Sequence, residues 1–141
     1  MAIVLRKLTT VEEMLPHWRL ITQLTADLSE ARYEALLREM VPHHYYQVAA
    51  FEGDACIAVS GYWIGHKLYS GKYLEIDNFV VDEAHRAKGV GELLVEWMGT
   101  EARREGCALL MLDAYVENFK AHRFYYRNGF HARGFHYLKQ L

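Results

Sequence analysis

Arg86-Ala87-Lys88-Gly89-Val90-Gly91 is the stretch whose residue types point most directly to chemistry. Its glycines let a backbone turn tightly and approach a ligand closely. A helix starting there presents unpaired N–H groups and the positive end of its dipole. Together these make an anion site, and Arg86 and Lys88 add charge beside it. A glycine-eased strand-to-helix connection is the plainer alternative. Spacing narrows the choice of anion. A Walker loop needs GxxxxGK followed by Ser or Thr, which is absent. A dinucleotide fingerprint needs a third glycine and an early βαβ position, and neither is met. The anion expected there is the pyrophosphate of another cofactor.

Other reactive side chains form no recognisable constellation. Cys56 and Cys107 each sit in an apolar run, with no CxxC, and read as buried free thiols. Among the eight histidines, none forms an HxxxH pair or a Cys/His ladder, so no metal site is expected. His43, His44, Tyr45, Tyr46, His66, Tyr69 and Tyr73 could make an aromatic, polar pocket, or be ordinary strand-end residues.

The elements that must position the loop follow from periodicity. Residues 2–8 read as a strand, and Thr10 to Glu13 is a capping box opening a helix over roughly 11–25. Ser29 caps a second helix, about 30–40, which stops before Pro42. A strand from Tyr45 to Phe51, a turn at Glu52-Gly53-Asp54 and a returning strand over 55–65 make a hairpin. Ser70-Gly71-Lys72 turns the chain into a further strand, Tyr73 to Val81. Val90, Leu93, Leu94, Trp97 and Met98 then form one helical stripe, closed by Arg103, Arg104 and Gly106. Cys107 to Leu112 reads as a buried strand, and Asn118 opens a helix over 119–128. Residues 130–140 suggest a last strand, bent at Gly134. The order β-α-α-β-β-β-α-β-α-β is that of one mixed α/β (α+β) domain over 1–141.

Composition excludes several classes. The chain has 141 residues, 52% hydrophobic and 24% charged, enough for one core without disulfide or metal staples. Its net charge of −2 leaves no basic footprint for nucleic acid. No run approaches the roughly 18 apolar residues of a membrane span, and the N-terminus reads as a strand and not a signal peptide. A cytoplasmic location is expected.

Strand, loop and helix together resemble the signature of the GNAT superfamily of N-acetyltransferases, in which R/Q-x-x-G-x-G/A joins a hydrophobic strand to an amphipathic helix. Here it runs from Val81 through Arg86, Gly89 and Gly91 into Glu92-Leu93-Leu94. A second stretch, Asn118-x-x-Ala121-x-x-Phe124-Tyr125 followed by Gly129-Phe130, is similar to another family pattern at the usual separation. Departures are small: Glu83 stands where Pro is frequent and Ala87 where Gly is. Neither removes a backbone donor.

The resemblance implies a central twisted, mixed, mostly antiparallel sheet flanked by about four helices. It implies direct transfer of an acetyl group from acetyl-CoA to a primary amine within a ternary complex. The pyrophosphate would lie on the main chain of Arg86, Ala87, Lys88, Gly89, Val90, Gly91 and Glu92. The pantetheine arm would add along the main chain of Phe79, Val80 and Val81, freed by a bulge and by splaying of the next strand. The Val81 region could donate an N–H to the thioester oxygen as charge develops there. A Lys-like amine is unprotonated in only about one molecule in 10³ at pH 7, so a base is needed. Glu75 and Asp77 occupy offsets from Arg86 that different members use, and being two apart they share a strand face. Glu75 reaches further. Tyr125 takes the position of the proton donor to the departing thiolate, whereas Tyr126 is turned about 100° away. Asn118 either holds the pantetheine arm, caps the helix, or does both. The 121–125 stretch and the Phe135-to-Leu141 ending resemble acetyltransferases of small molecules, including those acting on aminoalkylphosphonates and aminoglycosides. A small-molecule amine is therefore the expected partner, with room left for a homodimer. A protein or peptide acetyltransferase and an acyl-CoA-binding sensor without turnover are the alternatives.

Overall fold

The computed structural model describes residues 2–141. Five strands form one sheet in the order β1 (Ile3–Leu8), β2 (Tyr45–Glu52), β3 (Ala55–Lys67), β4 (Gly71–Val81) and β5 (Leu109–Leu112). Neighbours are antiparallel except β4 and β5, which are parallel. The expected mixed, mostly antiparallel sheet is therefore present. The helices are α1 (Val11–Met14), α2 (Trp18–Leu24), α3 (Glu30–Met40), α4 (Val90–Arg104) and α5 (Phe119–Arg127).

Alternation along the strands sends side chains to two cores. Leu8, Tyr45, Ala49, Phe51, Val59 and Val80 pack with Val11, Met14, Ile21 and Leu37 of the first three helices. Val48, Ala50, Tyr62, Leu74 and Ile76 pack on the other face with Val90, Leu94 and Met98 of α4. The capping box forms as expected: Glu13 N–H donates to the Thr10 hydroxyl, and the Thr10 N–H to the Glu13 carboxylate. The helix expected over 11–25 is interrupted by a 3₁₀ turn, Leu15–His17. Pro16 is the cause, since it has no N–H and its ring collides with the preceding turn. α1 and α2 are thus one broken helix, and four helical units flank the sheet.

Three other expectations need correction. The buried strand expected over 107–112 is the short edge strand β5, with Leu109 exposed and the rest half-buried. The strand expected over 130–140 does not form: residues 131–141 are exposed and irregular. A strand needs a ladder, and among the described residues this segment forms none with any strand of the sheet. The stripe on α4 is rotated, with Val95 buried and Leu93 at 37% exposure. Cys56 and Cys107 are free, as expected, but only half-buried.

One buried charge ties α4 to the sheet. Glu101 accepts from Lys7 Nζ of β1 at 3.1 Å and from Arg104 Nε at 2.6 Å. Burial works to raise its pKa, but the bonds from Lys7 and Arg104 win and hold it below the usual carboxylate range. A lowered native pKa gives stability that is present above the unfolded value, near 4.3, and is lost as pH falls through the native one. Glu101→Gln is expected to cost about 1–3 kcal/mol at pH 7, since it leaves both cations less well partnered. Urea unfolding measures the loss, and the gap to wild type should close toward acid pH.

Candidate active site

β4 and β5 pair from Tyr73–Leu109 to Ile76–Leu112 and then part. From Asp77 to Val81 that edge of β4 has no neighbouring strand among the described residues. A bulge sits at the same point. Val59 pairs with Val80 and Gly61 with Asp77, so Asn78 and Phe79 together oppose Ser60. Asn78 takes a left-handed φ of 54°, a conformation asparagine tolerates better than most residues. The Asp82 N–H donates to Ile57 O at 2.8 Å. By alternation, Val80 then turns its main chain to β3 and Val81 turns its own to the open edge. Of the residues expected to offer main chain to the cofactor, Val80 is thus engaged in the ladder. The Val81 carbonyl accepts from Arg86 Nε at 3.1 Å.

The loop after β4 is latched to α2. Gln23 Nε2 donates to Asp82 Oδ1 at 2.9 Å, and the Glu83 N–H donates to Gln23 Oε1 at 3.2 Å. His85 Nδ1 lies 3.0 Å from the other Asp82 oxygen. Arg86, Ala87, Lys88 and Gly89 are exposed. Gly89 caps α4 with a φ of 82° and open space around it. Ala87 also has a positive φ, 62°, at the position where glycine would be relaxed. The first intrahelical bond runs from the Leu93 N–H to Gly89 O, so the amides of Val90, Gly91 and Glu92 have no helical acceptor. Gly91 has a further reason to be glycine: an added Cβ would lie 3.1 Å from the Phe124 ring.

That contact brings α5 to the site. The Asn118 side chain accepts from the Ala121 N–H at 3.2 Å and caps α5. Phe79 of the bulge packs on Phe124 and, edge-on, on Tyr125, with centroids 5.7 and 6.3 Å apart. Tyr125 also meets Phe130. Burial pushes the Tyr125 hydroxyl up to about 12. Tyr126 stands in solvent at 58% exposure, as its helical angle predicts.

The strand carboxylates differ in their surroundings. Both Asp77 oxygens are committed, Oδ2 to Trp63 Nε1 at 3.0 Å and Oδ1 to the Asn78 N–H at 2.9 Å. Glu75 is half-buried, in register with Trp63 on one side and Met111 on the other, one residue before the strands part. Burial lifts its pKa above the usual carboxylate value; Asp113 and Asp77 push the same way, while Lys67 and His136 oppose. Asp113 just past β5 is itself paired with His136 Nδ1 at 2.9 Å.

The aromatic and histidine residues are not one pocket. Tyr45 is buried against Trp63 on the α1–α3 face, Tyr46 stacks on Tyr62 on the opposite face, and Tyr69 is exposed. Among the described residues no group of three His, Cys, Asp or Glu side chains could hold a metal. Likewise no helix among them is long and apolar enough to cross a membrane. Trp63, Asn78 and Asp113 carry no motif, although Asp77-Asn78 inside an apolar strand is a signal for a bulge.

The acetyltransferase (GNAT) family model matches residues 11–130, and the chain belongs to this family of N-acetyltransferases. An uncharacterized N-acetyltransferase of Bacillus subtilis, YhdJ, is 27% identical over 122 residues, 86% of each chain. An aminoalkylphosphonate N-acetyltransferase of Salmonella typhimurium is 30% identical over 100 residues, 71% of this chain and 65% of that one. The aminoglycoside N-acetyltransferase AAC(6')-Iy, solved in complex with CoA, superposes with a TM-score of 0.85 at 21% identity, covering 99% of this chain and 96% of that one.

Proposed function

We propose that this chain moves the acetyl group of acetyl-CoA directly to a primary amine of a small molecule, with Glu75 as base and Tyr125 as acid. The observation that carries the reading is the fork between β4 and β5, with Glu75 at its base and Tyr125 packed on its bulge through Phe79. The residues present suit the cofactor. Exposed left-handed backbone at Ala87 and Gly89 and the free amides of Val90, Gly91 and Glu92 form a cradle for a pyrophosphate. The open edge at Val81 is available to an extended amide-bearing chain. When bound, acetyl-CoA supplies the acetyl thioester.

The chain's own groups then manage protons. Glu75 is free of protein hydrogen bonds among the described residues, and its raised pKa suits a base working near neutrality. Asp77 serves instead to fix Trp63 and the bulge. Tyr125 keeps its proton through neutral pH and can pass it to the departing sulfur. A phenol near 12 is a weak acid beside a thiol near 8.5, and a thiolate leaves readily without help. Tyr125→Phe is accordingly expected to lower kcat by about 10- to 100-fold, at or below the low end of the roughly 10²–10⁴ typical of an acid–base group. The KM for acetyl-CoA should hardly move, because the ring contacts with Phe79 and Phe130 remain. An equal loss in Tyr126→Phe would contradict the assignment. The acceptor class is tested by rates with polyamines, amino acids, aminoglycosides and peptides. Acetylation of peptides alone would overturn the small-molecule reading.

A further inference from the structure

A buried chain of hydrogen bonds reaches the β4 bulge from the α1–α3 face of the sheet. Gln47 is fully buried in β2, and its Nε2 donates to Tyr33 Oη of α3 at 2.9 Å and to Tyr45 Oη at 3.2 Å. Because Tyr45 receives that bond, its own proton is directed to Asn78 Oδ1, 2.9 Å away. Gln47 Oε1 has no partner, the cost of aiming both N–H bonds at hydroxyls. Space for the Tyr45 ring exists because residue 61 is glycine; a Cβ there would lie 2.1 Å from the hydroxyl oxygen. Asn78 is the left-handed residue of the bulge, and the Asp77 carboxylate holds its N–H from the other side. Side chains from β2 and β4 therefore converge on one strained residue, and β3 makes room for them at Gly61. The next residues are Phe79, which touches Tyr125, and Val81, which faces the open edge.

We infer that Tyr45 is a positioning residue. Its hydroxyl clamps Asn78 in the left-handed conformation and so sets the Phe79–Val81 main chain at the geometry that receives the cofactor. This rests on the proposed acetyl-CoA site and extends it into the core, to a side chain that touches neither substrate. Packing alone does not require the hydroxyl, since phenylalanine would fill the same volume. The clamp is needed because a non-glycine residue at positive φ relaxes toward ordinary extended backbone when nothing opposes it. That relaxation would straighten the bulge and move Phe79.

Tyr45→Phe is expected to weaken CoA binding about tenfold by calorimetry, the scale of one lost hydrogen bond. Hydrogen exchange at the amides of Asn78 to Val81 should quicken while the rest of the sheet stays protected. Asn78→Gly in the Tyr45→Phe background should restore affinity to within about threefold of wild type, because glycine adopts positive φ without a clamp. A merely structural role for Tyr45 would not be rescued by a second change at the bulge. Wild-type affinity in Tyr45→Phe, or a double variant as weak as the single, would overturn the inference. If the wild-type chain does not bind CoA, the acetyl-CoA reading fails instead. The exchange rates then decide the clamp alone: unchanged rates at Asn78 to Val81 in Tyr45→Phe overturn it, and faster rates that glycine reverses support it.

Discussion

Glu75→Gln is expected to lower kcat/KM for the amine by about 10²–10⁴ at neutral pH, the range for losing a positioned general base. The loss should shrink as pH rises toward the amine's own pKa, where free amine appears without assistance. In the wild-type chain the acidic limb of the profile should fall above the ordinary carboxylate range, because burial beside Asp113 and Asp77 raises Glu75. Activity is present above that raised value and disappears below it, when Glu75 carries its proton. Glu75→Gln should lack this limb. Asp77→Asn serves as the contrast. Its carboxylate is spent on Trp63 and on the Asn78 N–H, so the variant should disturb binding while retaining the pH profile. Initial rates across pH for both variants separate the roles. A wild-type profile in Glu75→Gln, or loss of the limb in Asp77→Asn, would reverse the assignment.

The second large effect is expected at the head of α4. Gly89→Asp should reduce affinity for CoA by at least about 10²-fold, since a carboxylate would stand among the amides that face the anion. Nothing lies within 4 Å of the Cβ position, so the only structural penalty is the positive φ, about 1 kcal/mol. Gly91→Asp should lose binding too, but with a lower Tm, because its Cβ would press on Phe124. Paired calorimetry and melting curves distinguish these two causes. Unchanged affinity in both variants would remove the anion-site assignment.

Local signals accounted for much of this architecture. The capping box at Thr10, the cap at Ser29, the turns at Gly53 and Gly71 and the stripe on α4 act through neighbours in sequence, and they place elements to within a few residues. The glycine loop was legible for the same reason: its chemistry is main-chain geometry, which glycine spacing reports. Non-local facts were not. The apolar period continues across Pro16 and so predicts one helix over 11–25, though the backbone breaks there. The strand expected at 130–140 does not form because alternation within a segment does not by itself make a ladder, even with the edge of β5 open. Glu75 and Asp77 looked equivalent by spacing, and only the cross-strand Trp63 separates them. Tyr45 stands in the sequence among the histidines and tyrosines that could make a polar, aromatic pocket or be strand-end residues, and nothing local marks it as buried. Its partners, Gln47, Gly61 and Asn78, meet it only across strands.

Turnover at the β4–β5 fork is read directly from product stoichiometry. The chain is incubated with acetyl-CoA and a small polyamine, and both free CoA and the acetylated amine are quantified by mass spectrometry. One acetylated amine should form for each CoA released, with Glu75→Gln far slower under the same conditions. Tight binding of acetyl-CoA with no acetylated amine across the whole acceptor panel would rule out turnover at the fork and leave a cofactor-binding module without catalysis.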